Sequence, residues 1–203
     1  MKYLLGIKKG MTQVFDETGV CHPATVLEIP KAVVKSVKTD EADGYTAVKI
    51  ASGEQKEHRL SKAQKGANGT AQYVKEFRVK GENSDISSFE TGSEVSLGQF
   101  EVGDIVQVSA TSKGKGFQGV VKRHGFSGGP KTHGNKHHER APGSIGSAGI
   151  GRVFKGTRMA GRMGGDRVTV KNLTVVQVQP DKQLLVVRGP IPGRNGALVE
   201  VHG

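Results

Sequence analysis

Three stretches of this chain place glycine, serine and histidine at spacings that catalytic sites use. Gly114-Lys115-Gly116-Phe117-Gln118-Gly119 fits the G-x-G-x-x-G pattern, in which glycines let a backbone turn approach a pyrophosphate. Glu139 follows about twenty-five residues after the first glycine, close to where a ribose-binding acid would stand. With Val121 the same run also fits a kinase phosphate loop, but no V-A-I-K, H-R-D or D-F-G follows. Gly125-Phe126-Ser127-Gly128-Gly129 fits the nucleophile elbow G-x-S-x-G. His133 and His137 stand four apart with His138 adjacent, a spacing worth testing for zinc.

The surroundings of each motif argue against the chemistry. A dinucleotide site needs a second apolar strand, and Ser127–His138 contains none. A nucleophile elbow needs a strand before it and a helix after it, whereas Pro130-Lys131-Thr132-His133-Gly134 follows. The histidines have neither a cysteine nor an H-E-x-x-H beside them. Cys21 is the one cysteine, so it reads as a small buried hydrophobe, no internal disulfide can form, and a reducing compartment is expected. Glycine fills 15 of the 56 positions from Ser112 to Arg167, so roughly one accidental G-x-G-x-x-G is expected there. No cofactor and no metal are expected, and the chain does not read as an enzyme. The runner-up remains a nucleotide-dependent enzyme using the Gly114–Gly119 loop.

Charge gives a firmer reading. The chain carries a formal +11, and Ser112–Arg167 holds 12 Lys or Arg against only Glu139 and Asp166. The remaining residues hold 18 basic and 17 acidic side chains, close to balance. The basic stretch also contains four of the seven histidines, His124, His133, His137 and His138. Arg and Lys spaced by Gly let cations and backbone approach phosphates together. Folded RNA, with its irregular cavities, suits such a segment better than regular duplex DNA. An acidic membrane surface fits less well, because no sustained amphipathic helix is present. No stretch approaches membrane-spanning length, and the N-terminal apolar run is too short for a signal peptide, so a cytoplasmic protein is expected.

The elements around this stretch read as short strands. Val, Ile and Thr dominate Tyr3–Ile7, Gly19–Ile29, Ala32–Lys38, Tyr45–Ala51 and Asp104–Ala110, then Arg167–Gln179, Gln183–Arg188 and Ala197–Val201. Asp16-Glu17-Thr18-Gly19, Asp43-Gly44 and Gly193-Arg194-Asn195-Gly196 supply turns between them. Such a series predicts a β-barrel or sandwich. The more polar Glu54–Gly98 reads as a small insertion with a short helix near Leu60–Lys65. Within the basic stretch a helix is expected over Phe117–His124, stopped by Gly125. The rest has too few apolar residues for a core and reads as an extension ordered by its partner.

Specific motifs carry the reading further. Gly6-Ile7-Lys8-Lys9-Gly10-Met11-Thr12-Gln13-Val14-Phe15, Asp43-Gly44-Tyr45 and Glu76-Phe77-Arg78 precede Ser112-Lys113-Gly114-Lys115-Gly116-Phe117-Gln118-Gly119. His133-Gly134, Arg140-Ala141-Pro142-Gly143-Ser144-Ile145-Gly146, Val153-Phe154-Lys155-Gly156 and Arg158-Met159-Ala160-Gly161-Arg162-Met163-Gly164 follow. Val168-Thr169-Val170 and Gly189-Pro190-Ile191-Pro192-Gly193 complete the series. In order along nearly the whole chain, these resemble the family of the universal third protein of the large ribosomal subunit, in its bacterial form.

That resemblance implies a mainly β fold: a translation-protein-type β-barrel with a small α/β insertion and a long, basic, glycine-rich extension. The implied division is residues 1–53, 99–111 and 168–203 for the barrel, 54–98 for the inserted subdomain and 112–167 for an rRNA-penetrating extension. It implies a structural constituent of the large subunit that supports early assembly and the rRNA around the peptidyl transferase centre. Expected rRNA contacts are Lys8, Lys9, Lys113, Lys115, Lys122, Arg123, His124, Lys131, His133, Lys136, His137, His138, Arg140, Arg152, Lys155, Arg158, Arg162 and Arg167. Gly146, Ser147, Ala148, Gly149, Ile150, Gly151 and Arg152 would form the tip near that centre. The implied partners are large-subunit rRNA and neighbouring large-subunit proteins, the fourteenth and nineteenth, with no DNA and no membrane. Two departures stand out. Ser147 occupies a position where many bacterial members have glutamine, methylated in some, and the loop to Val153 is one residue shorter.

Overall fold

The computed structural model describes residues 2–79 and 89–203. Twelve strands are present among them: β1 Tyr3–Phe15, β2 Cys21–Glu28, β3 Ala32–Lys38, β4 Ala47–Glu54, β5 Ala71–Arg78, β6 Glu94–Val95, β7 Ile105–Thr111, β8 Gly116–Gln118, β9 Gly161–Met163, β10 Arg167–Gln179, β11 Leu184–Arg188 and β12 Leu198–His202. Three short helices join them: α1 Asp40–Asp43, α2 Lys62–Asn68 and α3 Val120–His124. Strands β1, β12, β7, β10, β11 and β2, in that order, close a barrel. The chain divides into two units, Met1–Thr111 with Arg167–Gly203, and Ser112–Asp166.

The first unit is mainly β, as expected, and β1 shows how its sequence specifies two cores. Alternate residues of a strand face opposite ways. Leu4 enters the barrel interior with Leu27, Val106, Val108, Val175, Leu185, Val187, Val199 and Val201. Tyr3 and Leu5 point outward into a second cluster with Val34, Val48, Ile50 and Phe77. Covered on both faces, Tyr3-Leu4-Leu5 reads as an uninterrupted apolar run. Fully burying each Leu contributes about 1.5–3 kcal/mol. Further along, β1 bulges between Lys8 and Gly10 and turns its second half into a hairpin with β2, whose first residue, Cys21, is exposed at the hairpin end instead of buried as expected. The Asp16 carboxylate organises the hairpin turn, accepting from the Thr18 hydroxyl, the Val20 N–H and the Thr18 N–H. Those bonds, the Thr18 hydroxyl foremost, hold its pKa down to about 2.

One expected boundary moves. Strands β3 and β4, assigned above to the barrel as part of residues 1–53, pair with β5 and β6 in a separate sheet of order β5-β4-β3-β6. Pro30 explains the break, since proline has no N–H with which to continue a ladder. The Ile29 N–H is the last to join the barrel rim, donating to the Gln183 carbonyl at 2.8 Å. Period-two alternation reveals which face is buried, not which sheet a strand joins. Between β4 and β5, α2 starts at a capping box in which Ser61 and Gln64 satisfy each other's N–H groups. Residues 80–88 of the 54–98 insertion lie outside the described residues.

Candidate nucleic-acid interface

In sequence, the second unit is inserted between two paired residues of the first. Thr111 at the end of β7 is the register partner of Arg167 at the start of β10. Beyond that pair, the Ser112 N–H donates to the Asp166 carbonyl at 2.8 Å and the Lys115 N–H to the Met163 carbonyl at 2.9 Å. The two chain directions stay paired through β8 and β9, with Phe117 opposite Arg162. The expected helix over Phe117–His124 is shorter than the sequence predicts, covering Val120–His124. Glycines at 114, 116 and 119 disfavour helix, so Phe117 falls on a strand and is 77% exposed. Val120 is buried, and the helix stops as expected at Gly125, in the left-handed conformation at φ 74°.

Polar bonds to the backbone then do what an apolar core does in the first unit. The Arg123 guanidinium donates to the Met159 carbonyl at 2.8 Å, and His124 Nε2 lies 3.0 Å from the same oxygen. Because a carbonyl only accepts, that imidazole nitrogen carries the proton. Asn135 ties the next loop, donating from Nδ2 to the Pro130 carbonyl at 2.6 Å and accepting the His138 N–H at 3.1 Å. There the Gly129 N–H donates to the Glu139 carbonyl at 3.0 Å. Gly128, at φ 75°, passes so close to that carbonyl that a Cβ would collide with its oxygen. The Ser144 hydroxyl donates to the Gly146 carbonyl at 2.7 Å. Residues 142–156 are exposed throughout, with the turn of the expected tip at Ala148–Gly149.

The cations are presented outward. Lys113, Lys115, Lys122, Arg123, Lys131, Lys136, Arg140, Arg152, Lys155, Arg158 and Arg162 are all exposed. Among the described residues only Lys131 of this set has a carboxylate within reach, Glu139 at 3.9 Å. His133, His137 and His138 are exposed as well, while His124 is half-buried. Outside this unit the expected contacts fare differently. Lys8 is 8% exposed, and its ammonium donates to the Ile191 carbonyl at 2.7 Å and the Gly193 carbonyl at 3.2 Å. It therefore serves the barrel, correcting its expected place at an RNA surface; a lysine between strand residues gives no sequence sign of such a role. Lys9 is exposed but paired with Glu28 at 2.7 Å, and Arg167 pairs with Glu200.

The enzyme motifs are not assembled. Every strand pairing in the described residues is antiparallel, so Gly114–Gly119 belongs to no parallel βαβ unit. Ser127 follows a helix instead of preceding one. No group of three or more His, Cys, Asp or Glu among the described residues is placed to hold a metal ion. No helix among them is long and apolar enough to cross a membrane.

The family model described as ribosomal protein L3 matches residues 46–185. The chain is 47% identical over 205 residues to the large ribosomal subunit protein uL3 of Streptococcus pyogenes serotype M5, covering 98% of this chain and 95% of that protein. Its identity and coverage against the protein of the same name from Streptococcus agalactiae serotype Ia are the same.

Proposed function

The chain belongs to the ribosomal protein L3 family, and on that premise we propose that Ser112–Asp166 is its principal rRNA-binding element. The family is structural and not enzymatic, a constituent of the large ribosomal subunit in the bacterial cytoplasm. Its rRNA-binding role needs a cationic surface, and one observation carries the assignment. Eleven exposed Lys and Arg occupy this unit, and only Lys131 is neutralised by a carboxylate among the described residues. The backbone bonds of Arg123, His124 and Asn135 fix the loops that bear them, so the charges meet phosphates without first ordering every residue.

The resemblance supports finer roles. Gly146–Arg152, following the Gly143-Ser144-Ile145-Gly146 motif, approaches the peptidyl transferase centre, and the flanking cations line the path to it. The segment supports the rRNA around that centre and contributes to early subunit assembly. The fourteenth and nineteenth large-subunit proteins are its protein neighbours. Ser147, in the place of a modifiable glutamine, makes this tip independent of that methylation.

Titrating the purified protein with large-subunit rRNA at increasing salt tests the main assignment. With about six to ten phosphate contacts, affinity falls about 10³–10⁵-fold between 50 and 200 mM salt. A flat response, or binding that survives replacement of Ser112–Asp166 by a short linker, would place the RNA contact elsewhere.

A further inference from the structure

The loop between Gly125 and Gly143 encloses an open hollow of about 540 Å³. That size falls within the range of about 300–1,000 Å³ typical of ligand sites. Phe126, Ala141 and Pro142 provide apolar lining, and Ser127 and His138 add polar groups. No Lys or Arg lines the hollow, so a phosphate inside it would lack a cation. Lys131, Lys136 and Arg140 nevertheless belong to the same loop, against the single carboxylate of Glu139. The chemistry of the hollow thus differs from that of the loop bearing it: apolar with a few hydrogen-bonding groups inside, cationic in the loop as a whole.

A nucleotide has the same division, a flat base with polar edges attached to an anionic backbone. We propose that this hollow receives one base turned out of the rRNA stack, while Lys131, Lys136 and Arg140 hold the phosphates on either side. The inference rests on the reading of Ser112–Asp166 as the rRNA-binding element and names a subsite within it. Phe126 is the stacking surface. It is half-buried, and its ring centroid lies 6.0 Å from that of His124, which is itself fixed to the Met159 carbonyl. A ring held this way loses little freedom when a base stacks on it. The Ser127 hydroxyl and the His138 ring make no hydrogen bond among the described residues, so both can read the base edge. Glu139 and Asn135 set the shape of the loop, since the Gly129–Glu139 bond ties its two sides together and the Asn135–His138 bond fixes the turn beside it. Unstacked bases lodged against aromatic side chains are a common mode of RNA recognition, and this loop has the parts for it.

The chain contains no tryptophan, which makes the test direct. A Phe126→Trp variant carries one indole in the hollow, and an Ile105→Trp variant carries one on the exposed barrel surface. Both are titrated with large-subunit rRNA while binding is followed independently by electrophoretic mobility. The proposal expects strong quenching of the first emission and little change in the second. A Phe126→Ala variant should bind roughly tenfold more weakly, with the salt dependence unchanged. Normal binding with unchanged emission from Phe126→Trp would overturn the base site and leave the rRNA assignment standing. Absence of binding by both variants and by the unaltered chain would overturn the rRNA assignment and the base site with it. Quenching by RNA-free subunit proteins alone would give the hollow to a protein partner and also overturn the proposal.

Discussion

The two units of this molecule are stabilised by different means. The barrel unit buries aliphatic side chains from all six barrel strands and needs few specific polar bonds to define its interior. In Ser112–Asp166, Val120 is the one buried hydrophobic residue among those described, and the loops are fixed by side chains bonded to carbonyls and by glycines in close approach. The difference teaches where charge can be placed. A hydrophobic core tolerates few cations, whereas backbone bonding leaves the surface free to carry eleven. The one cation buried among the described residues illustrates the cost, because Lys8 is matched to two carbonyls at the β1 bulge.

The comparison breaks most visibly if Ser112–Asp166 is replaced by a short turn. Thr111 and Arg167 are already paired, so β7 and β10 can close as a hairpin. The variant should melt cooperatively near the parent temperature while losing rRNA affinity by orders of magnitude. Joint loss of folding and binding, seen by circular dichroism and filter binding, would show that the two units are interdependent.

Single truncations sharpen the contrast. Leu27→Ala removes a fully buried barrel side chain and should cost about 2–5 kcal/mol in denaturant unfolding. Ile150→Ala, at an exposed position, should change stability by no more than about 0.5 kcal/mol. Equal costs would contradict the division. Lysines can be compared in the same way. Lys8→Met leaves buried carbonyls without their donor and should destabilise the barrel by about 1–3 kcal/mol, with the RNA salt slope unchanged. Lys136→Ala should do the reverse, lowering the salt slope by about 1 at unchanged stability. Gly128→Ala tests the close approach: displacing the Glu139 carbonyl should weaken rRNA binding roughly tenfold and leave barrel melting intact.

The smallest effect concerns pH and belongs to the first unit alone. His202 packs edge-on to Tyr3 at 5.0 Å and to Phe77 at 5.1 Å, where barrel and four-stranded sheet meet. Burial holds its pKa below the ordinary 6.5, with Glu200 opposing the shift and Arg167 reinforcing it. In the unfolded chain the imidazole binds a proton more readily than in the folded one. Stability is therefore complete above about pH 6.5 and declines as pH falls from there through the lower folded pKa. Melting curves between pH 8 and 5 should show a decline that His202→Gln reduces. An identical decline in that variant would assign the effect to other groups.

Much of this arrangement was legible in the residues. Strand positions emerged from runs rich in Val, Ile and Thr bounded by turn residues, because branched side chains suit a pleated, half-buried surface. The basic segment proposed to bind RNA stands out by charge and glycine content, which are properties of composition, and the family motifs lie in order along the chain. What required tertiary structure was every question of partner. Alternation could not assign β3 and β4 to the separate sheet, because the same pattern serves any sheet with one covered face. A list of cations could not separate buried Lys8 from exposed Lys136, since burial depends on which backbone lies opposite. Nor could the spacing of Phe126, His138 and Pro142 disclose a hollow. That space exists only because Gly128 and Gly129 bring two distant stretches of backbone into contact.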